Sequence, residues 1–185
     1  SYEMKIPKER IAVLIGKKGE CKKQIEQSTN TKLHIDSKEG DIFITSDDAL
    51  SIYTAKEVIK AVGRGFNPDY ALLLLKPDYI FELINISEYA GKNKNSIKRI
   101  KGRVIGAEGK SRRTIEELSE TYICVYGKTI GIIGRAENVA VARKAVEGLI
   151  RGSPHSKIYR WLESKRKELI RRELEEDFGK LTNKF

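Results

Sequence analysis

The chain carries two copies of one pattern, offset by 90 residues, and each copy is built around a Gly-x-x-Gly segment. The first copy contains IAVLIGKKG at residues 11–19, and the second contains KGRVIGAEG at residues 101–109. The matching positions are glycine or aliphatic in both copies: Gly16 with Gly106, Gly19 with Gly109, Ile25 with Ile115, and Leu33 with Ile123. A unit of this size is too long for a solenoid repeat, so the pattern predicts a duplicated domain.

Both copies predict the same order of elements, β-α-α-β-β-α. A short apolar strand (residues 3–6 and 81–86) leads into a helix that ends at the Gly-x-x-Gly, and a second helix follows the glycines. Alternation of apolar and polar residues then predicts two strands joined by a turn, and apolar residues at helical spacing predict a final helix. In the first copy we expect Asp47 to cap that final helix. The fold class is therefore α+β.

The repeat and the stretches around it predict four segments. The two domains are expected at residues 1–64 and 82–151. Residues 65–81 are expected to form a linker with a short helix, because the apolar segment 70–75 would not stay exposed as a flexible tether. Residues 152–185 are expected to form a charged C-terminal helix, whose acidic and basic side chains can pair four residues apart.

The chain is basic, with 36 Lys and Arg against 26 Asp and Glu, and its net charge is +10. Such an excess indicates a polyanionic partner, usually nucleic acid. The second copy carries most of it: residues 92–151 hold 14 basic and 6 acidic side chains, whereas residues 1–63 hold 11 and 10. Because phosphate contacts gain affinity by releasing counterions, the second copy is expected to dominate nucleic-acid binding.

The β-α-α-β-β-α order, with Ile-Gly-x-x-Gly between the first two helices, resembles the type I KH domain. The resemblance implies, in each copy, a three-stranded sheet with three helices on one face. It also implies that the Gly-x-x-Gly segment clamps the backbone of about four nucleotides of single-stranded RNA. The residue types fit that role, because glycine lets two backbones approach closely and the following helix presents free N–H groups to phosphate.

The predicted RNA sites comprise the first loop (Gly16–Gly19), the second loop (Gly106–Gly109) and residues beside them. In the second copy the site residues are Lys98, Arg99, Lys101, Arg103, Ile105, Gly106, Ala107, Glu108, Gly109, Lys110, Arg112 and Arg113. In the first copy, where we expect weaker RNA binding or a protein contact, they are Gly16, Lys17, Lys18, Gly19, Lys22 and Lys23. Phosphate contact or base stacking is expected of Arg103, Lys110, Arg112 and Arg113.

Two features of the second copy leave alternatives open. Glu108 stands where KH domains usually have a basic or small residue, and its carboxylate repels phosphate. Either the backbone N–H groups and the flanking arginines clamp the RNA, or Glu108 accepts a hydrogen bond from a base edge. Val104, Ile105 and Ile123 either line the nucleotide groove or pack in the core.

Three segments of the second copy narrow the resemblance: RIKGRVIG, GKSRRTIEEL and YICVYGKTIGIIG. They resemble the Partner-of-Nob type of small-subunit ribosome assembly factor, and the compact length and intact first loop resemble its archaeal form. That resemblance implies binding to the 3′ end of small-subunit ribosomal RNA during late maturation. It also implies cooperation with a processing endonuclease or another ribosome or translation factor, through the first copy or the C-terminal helix.

Other functional classes find less support in the sequence. Residues 104–111 end like a phosphate-binding P-loop, but position 104 is Val where the motif requires Gly, so the chain is not expected to be an enzyme. Cys21 and Cys124 form no CxxC, so we expect a reducing, cytoplasmic location and neither a metal site nor a cofactor. No apolar run is long enough to predict a membrane helix. A protein-interaction scaffold, or a KH factor for messenger or transfer RNA, stays open as an alternative.

Overall fold

The computed structural model describes residues 1–183 and contains two three-stranded antiparallel sheets with helices between their strands. The first copy contains β1 (Tyr2–Lys5), α1 (Lys8–Ile15), a 3₁₀ turn (Lys17–Gly19), α2 (Glu20–Thr29), β2 (Lys32–Asp36), β3 (Asp41–Thr45) and α3 (Ala49–Gly63). Then come α4 (Pro68–Ala71) and a 3₁₀ turn (Leu72–Leu75). The second copy contains β4 (Tyr79–Asn85), α5 (Ser87–Ala90), α6 (Lys94–Ile105), a 3₁₀ turn (Ala107–Gly109), α7 (Lys110–Ser119), β5 (Tyr122–Tyr126), β6 (Thr129–Arg135) and α8 (Ala136–Ile150). The last helix is α9 (His155–Thr182).

The two sheets have the same topology. Their strand orders are β1-β3-β2 and β4-β6-β5, so the last strand of each copy lies between the other two. In the first sheet Phe43 pairs with Glu3 on one side and His34 on the other, and in the second Ile133 pairs with Phe81 and Tyr122. The predicted α+β class, the twice-repeated β-α-α-β-β-α order and the C-terminal helix are confirmed.

The described chain packs as two compact units. One consists of Ser1–Ile86 with Tyr122–Ala136, and it contains both sheets together with α1 to α4. The other consists of Ser87–Thr121 with the chain from Glu137 onward, and it contains α5 to α9. The domain boundaries drawn from the sequence stay predictions.

One apolar cluster of the first unit joins its first sheet, the helices of the first copy and part of the second sheet. Ile42 and Ile44 of β3 are fully buried, and so are Leu14 of α1 and Ile25 of α2. The cluster continues along the chain after α3 and reaches the second sheet through Phe66, Ala71, Leu74 and Ile133. Each such side chain contributes about 1.5–3 kcal/mol when it is removed from water. The apolar segment predicted to be a short helix is therefore a helical turn held by burial.

The cap of α3 differs from the sequence-based prediction. Asp48, and not Asp47, stands at the N-cap with extended backbone, and its carboxylate accepts hydrogen bonds from the N–H groups of Leu50 and Ser51. The Ser51 hydroxyl also donates to it, and together these bonds lower the pKa of Asp48. Two adjacent aspartates offer the same capping chemistry, so sequence alone did not distinguish them.

The second unit consists of helices, and both α8 and α9 have buried apolar side chains. Val139, Val146 and Leu149 of α8 are fully buried, and α9 contributes Ile158 and Leu162 to the interior. Gly148 of α8 lets Ile158 of α9 come close, since a Cβ at residue 148 would lie 2.7 Å from Ile158 Cδ1. Among residues 1–183, none of the helices has the combination of length and apolar character that a bilayer span requires.

Candidate nucleic-acid interface

The two Gly-x-x-Gly loops have the same backbone conformation. Gly16 has φ 74° and ψ 175°, and Gly106 has φ 74° and ψ 174°. Gly19 and Gly109 both have φ 75°. Each loop is closed by a 3.2 Å hydrogen bond from the N–H of its last glycine to the carbonyl of its first. The repeat in sequence is therefore a repeat in local geometry.

The glycines of each loop are required for different reasons. A Cβ at Gly106 would lie 2.7 Å from the backbone nitrogen and the Cβ of Ser111, and one at Gly16 would lie 2.7 Å from Cys21 Cβ. The first glycine is thus fixed by packing as well as by its positive φ. A Cβ at Gly19 would meet nothing within 4 Å, so there the positive φ alone favours glycine and the outer side of the backbone is open to a ligand.

The third residue of each loop is left-handed without being glycine. Lys18 and Glu108 both have φ 53°. This conformation costs an L-residue about 1–3 kcal/mol, and it persists only where the surroundings enforce it. In the second loop Nη1 of Arg113 donates a 2.7 Å hydrogen bond to the carbonyl oxygen of Glu108. That bond ties the Glu108 peptide to the first turn of α7, whereas Lys18 has the same φ in a domain where the equivalent residue is Lys23.

The helices that follow the loops begin without a side-chain cap. Within residues 1–183, neither α2 nor α7 has a capping side chain at its N-cap glycine. By contrast, Asp48, Asn67 and Asn93 cap α3, α4 and α6. An uncapped N-terminus leaves backbone N–H groups and the positive end of the helix dipole available to an anion. Both loops therefore offer phosphate the same set of donors.

The basic residues predicted for the second site lie on both sides of its loop. Lys98, Arg99 and Lys101 lie on α6, which leads into the loop, and Lys110, Arg112 and Arg113 lie on the first turn of α7. Most of these side chains are exposed, whereas Lys101 and Arg112 are half-buried. Arg112 pairs with Glu116 at 3.1 Å, one turn further along α7. At the first loop Lys17, Lys18 and Lys23 are exposed and Lys22 is half-buried.

Comparison with known proteins identifies this arrangement. A family model described as "Eukaryotic type KH-domain (KH-domain type I)" matches residues 80–167, and one described as "KH domain" matches residues 1–61. The chain is 47% identical over 176 residues to "KH domain-containing protein MJ0443" of Methanocaldococcus jannaschii, over 93% of this chain and 77% of that protein. A chain of the a/eIF2alpha-aDim2p-rRNA complex from Pyrococcus horikoshii OT3 is 44% identical with a TM-score of 0.83, over 90% of this chain and 94% of that one.

The chain belongs to the Dim2/PNO1 family of tandem KH-domain proteins. A fungal relative, "Pre-rRNA-processing protein PNO1" of Coccidioides immitis, is 34% identical over 113 residues. That alignment covers 60% of this chain and 44% of the fungal protein, so the chain spans less than half of this relative.

In the second KH domain, part of the Arg103 guanidinium is bonded within the chain. Its Nε donates to the carbonyl of Leu149 at 2.9 Å, and Nη2 donates to the carbonyl of Ser153 at 2.6 Å. His155 Nε2 lies 2.8 Å from the carbonyl oxygen of Arg103. Arg103 therefore satisfies carbonyls in the last turn of α8 and just beyond it, and its predicted contact with phosphate stays a prediction.

The first KH domain has an equivalent device, which the sequence analysis missed. Arg10 of α1 donates from Nε to the carbonyl of Val62 at 2.8 Å and from Nη2 to that of Phe66 at 2.9 Å. In both domains an arginine of the helix before the loop thus satisfies carbonyls at the end of the domain's last helix. Because the 90-residue repeat does not align Arg10 with Arg103, the repeat alone did not reveal this relationship.

Burial decides the role of the three aliphatic residues left open by the sequence. Val104 is 0% exposed and Ile123 is 3% exposed, so both are core residues. Ile105 is half-buried at the end of α6, directly before the second loop. Of the three, Ile105 keeps the most exposed surface, and its predicted contact with RNA stays a prediction.

Ser111 is a further residue of the site that sequence reasoning did not select. It is 1% exposed, lies against Gly106, and its hydroxyl has no hydrogen-bond partner within the described chain. Cys21 occupies the equivalent position in the first domain, and burial raises the pKa of its thiol. The space beside the first glycine of each loop accepts a small side chain. Because the Ser111 hydroxyl makes no hydrogen bond to residues 1–183, it adds no hydrogen-bond energy to the fold.

Across residues 1–183, no three side chains of His, Cys, Asp or Glu are grouped closely enough to hold a metal ion. Neither Cys21 nor Cys124 forms a disulfide within the described chain.

Proposed function

We propose that the chain binds single-stranded RNA through the second loop, and that the RNA is the 3′ end of small-subunit ribosomal RNA. The observation that carries the proposal is the uncapped N-terminus of α7 behind a loop whose strained Glu108 peptide is held by Arg113. Such a site binds a phosphate backbone without reorganising. The rRNA in the complex of the Pyrococcus Dim2p relative and the pre-rRNA-processing role named for the fungal relative support the choice of RNA.

The residues proposed for this contact are those whose side chains or backbone face solvent at the loop. The proposed phosphate contacts are the backbone of Gly106, Ala107, Glu108 and Gly109 with the side chains of Lys98, Arg99, Lys101, Lys110, Arg112 and Arg113. Ile105 supports a base at the edge of the groove. Arg103 is proposed to anchor the helix before the loop and not to contact phosphate, because its Nε and Nη2 donate to the carbonyls of Leu149 and Ser153.

Glu108 is proposed to select a base and not to bind phosphate. Its backbone carbonyl accepts the Arg113 bond, while its side chain is exposed. A carboxylate accepts hydrogen bonds and favours an amino group such as cytosine N4. Glu108→Gln keeps the size of the side chain and removes its charge. This variant should lose base preference while it gains affinity for all single strands, because the repulsion of phosphate is gone.

The first loop is proposed as a weaker second RNA contact through Gly16, Lys17, Lys18, Gly19, Lys22 and Lys23. It has the same backbone geometry and the same uncapped helix behind it, so it offers the same donors. The domain around it has little excess positive charge, which lowers the electrostatic part of its affinity.

The proposed role is that of a non-catalytic assembly factor in the cytoplasm. The chain would hold the rRNA 3′ end while a separate endonuclease, or another ribosome or translation factor, acts there. The partner would contact the first KH domain or α9. The chain itself is proposed to carry out no catalytic step.

The test is a binding titration of a short RNA with the 3′-terminal sequence of small-subunit rRNA, at several salt concentrations. Scrambled RNA and single-stranded DNA are the competitors. Arg112→Ala/Arg113→Ala should weaken binding about 10- to 100-fold and reduce the salt slope by about 1.4, since two phosphate contacts are lost. Lys17→Asp/Lys18→Asp should have a smaller effect. Arg160→Ala/Lys167→Ala removes two exposed charges from α9 and is the matched control.

Each outcome has a defined meaning. Preference for the native sequence, lost in the second-loop variant and kept in the control, supports the proposal. Equal binding to every strand would assign the chain to KH factors without rRNA specificity. Absence of binding at moderate salt would overturn RNA binding and favour a protein-interaction scaffold.

A further inference from the structure

The helix α9 is anchored only over its first half. Ile158 and Leu162 are buried, and Arg166 Nη1 donates a 2.8 Å hydrogen bond to the carbonyl of Glu117 at the end of α7. From Ile170 to Asn183 every side chain is exposed. A free helix of this length is marginally stable in water. The second half of α9 therefore lacks the tertiary packing that holds its first half.

This exposed half carries an apolar stripe. Ile170, Leu174, Phe178 and Leu181 are 47%, 55%, 68% and 58% exposed. Their spacings of four, four and three residues place them on one face of the helix. We call this face the α9 stripe. Scattered apolar residues on a surface are ordinary, but four on one face of an unsupported helix indicate an interaction surface.

The charges beside the stripe are separated along the helix. Residues 165–172 contain Lys165, Arg166, Lys167, Arg171 and Arg172 with one acid, Glu168, whereas residues 173–177 contain Glu173, Glu175, Glu176 and Asp177. Acidic residues near the C-terminal end of a helix are unfavourable for its dipole, so helix stability does not explain this order. The acidic residues form only weak ion pairs within α9, Glu175 with Arg171 at 3.8 Å and Asp177 with Lys180 at 4.0 Å. All four of these side chains are strongly exposed.

We infer that the α9 stripe docks against the same stripe of a second copy of this chain, with the two helices antiparallel. An antiparallel pair with Leu174 at its centre places Arg171 and Arg172 of each helix beside Asp177 and Glu176 of the other and Glu168 beside Lys180, and it places Glu173 beside Glu175. A parallel pair in register would place every charge beside its own copy. With Leu174 on the two-fold axis, Ile170 lies opposite Phe178 and Arg171 lies opposite Asp177. The contact is isologous, because each residue pair occurs twice.

The pairing would be weak, because two helices in contact over about three turns bury less surface than a permanent dimer. Sedimentation equilibrium of the full chain over a range of concentrations should show reversible self-association without RNA. Leu174→Asp should abolish it. Because Leu174 is exposed, this variant should keep its circular dichroism spectrum and its RNA affinity, which separates a failure of this inference from a failure of the proposed function.

A charge exchange tests the antiparallel geometry. Arg171→Asp and Asp177→Arg should each weaken self-association about tenfold or more, because each places like charges opposite one another twice. Arg171→Asp/Asp177→Arg should restore it, and the two single variants mixed together should form a heterodimer. If the double variant self-associated as weakly as the single variants, the antiparallel register would be overturned.

A cross-link supplies an independent measurement. Leu174→Cys should form a disulfide-linked dimer under mild oxidation, whereas Ile170→Cys alone should not, because only residue 174 faces its own copy. The unmodified chain, with Cys21 and Cys124, is the control. A chain that stays monomeric in every arm, or that self-associates equally with Leu174→Asp, would overturn the inference. Loss of RNA affinity with Leu174→Asp would instead assign the stripe to RNA binding.

Discussion

Arg113 Nη1 donates a hydrogen bond to the carbonyl oxygen of Glu108, so a residue on the first turn of α7 holds the left-handed peptide of the second loop. Lys23 occupies the equivalent position in the first domain, so the planar guanidinium is particular to the second. Rigidity at the loop and positive charge beside it are therefore supplied by the same side chain.

Arg113→Lys separates these two contributions. Because the charge is kept and the bond to the Glu108 carbonyl is lost, we expect RNA affinity to fall about threefold to tenfold with little change in salt slope. Arg113→Ala should lower both the RNA affinity and the salt slope. Amide exchange of Gly109 would report the loosening directly, and Lys23→Arg is the reciprocal control. An equal fall in salt slope for both substitutions would show that the bond has no separate effect.

The loss of stability on replacing a loop glycine with alanine should depend on how much space surrounds that glycine. Gly106→Ala forces a Cβ to within 2.7 Å of Ser111 at a positive φ, and we expect a loss of about 2–4 kcal/mol in the free energy of unfolding. Gly109→Ala meets only the flexible end of Arg113 at 3.3 Å, and we expect a loss of about 1–2 kcal/mol. Urea unfolding of the two variants measures the difference. Equal losses would show that the packing under Gly106 relaxes.

Arg103 and Arg10 should matter for stability and not for the electrostatics of RNA binding. Arg103→Ala removes two charge-assisted bonds to carbonyls, and Arg10→Ala does the same in the first domain. We expect each to lower the free energy of unfolding by about 1.5–3 kcal/mol. The salt slope of RNA binding should stay unchanged in Arg103→Ala, provided that the variant is folded. A slope reduced by about 0.7 would return Arg103 to the RNA site.

The pair of Glu9 and Tyr126 should make stability depend on pH. The Tyr126 hydroxyl donates to Glu9, which lowers the pKa of that carboxyl and raises the pKa of the tyrosine. A lowered carboxyl pKa stabilises the fold above the ordinary value of about 4.3 and loses that effect as the pH falls through the folded-state value. A raised tyrosine pKa stabilises below about 10 and loses the effect as the pH rises through the folded-state value.

Tyr126→Phe should therefore lower the unfolding midpoint at neutral pH, and the difference from the original chain should shrink at acid pH. Urea midpoints measured from pH 3 to pH 8 test this, and Tyr53→Phe, whose side chain is exposed, is the control. A difference that stays constant across the whole range would show that packing, and not the hydrogen bond to Glu9, is what the hydroxyl contributes.

Local patterns in the sequence were enough to predict the elements and the loops. Alternation located β2 and β5, and the paired glycines located the ends of α1 and α6, because these features depend on neighbours in the chain. The partners of Arg103 lie 46 and 50 residues away, so no local pattern could assign its guanidinium. Val104 and Ile105 are adjacent aliphatic residues, and only tertiary packing decided that one is core and the other half-buried.

The apolar cluster that runs from the first sheet through Phe66 and Leu74 to Ile133 has an evolutionary consequence. After a gene duplication, either copy is ordinarily free to decay or be deleted. Here, removing the first copy would uncover the apolar side chains that meet β6, and the remaining fragment would tend to aggregate. A mutation that abolished RNA affinity in the first copy would therefore leave that copy still needed to cover the second sheet.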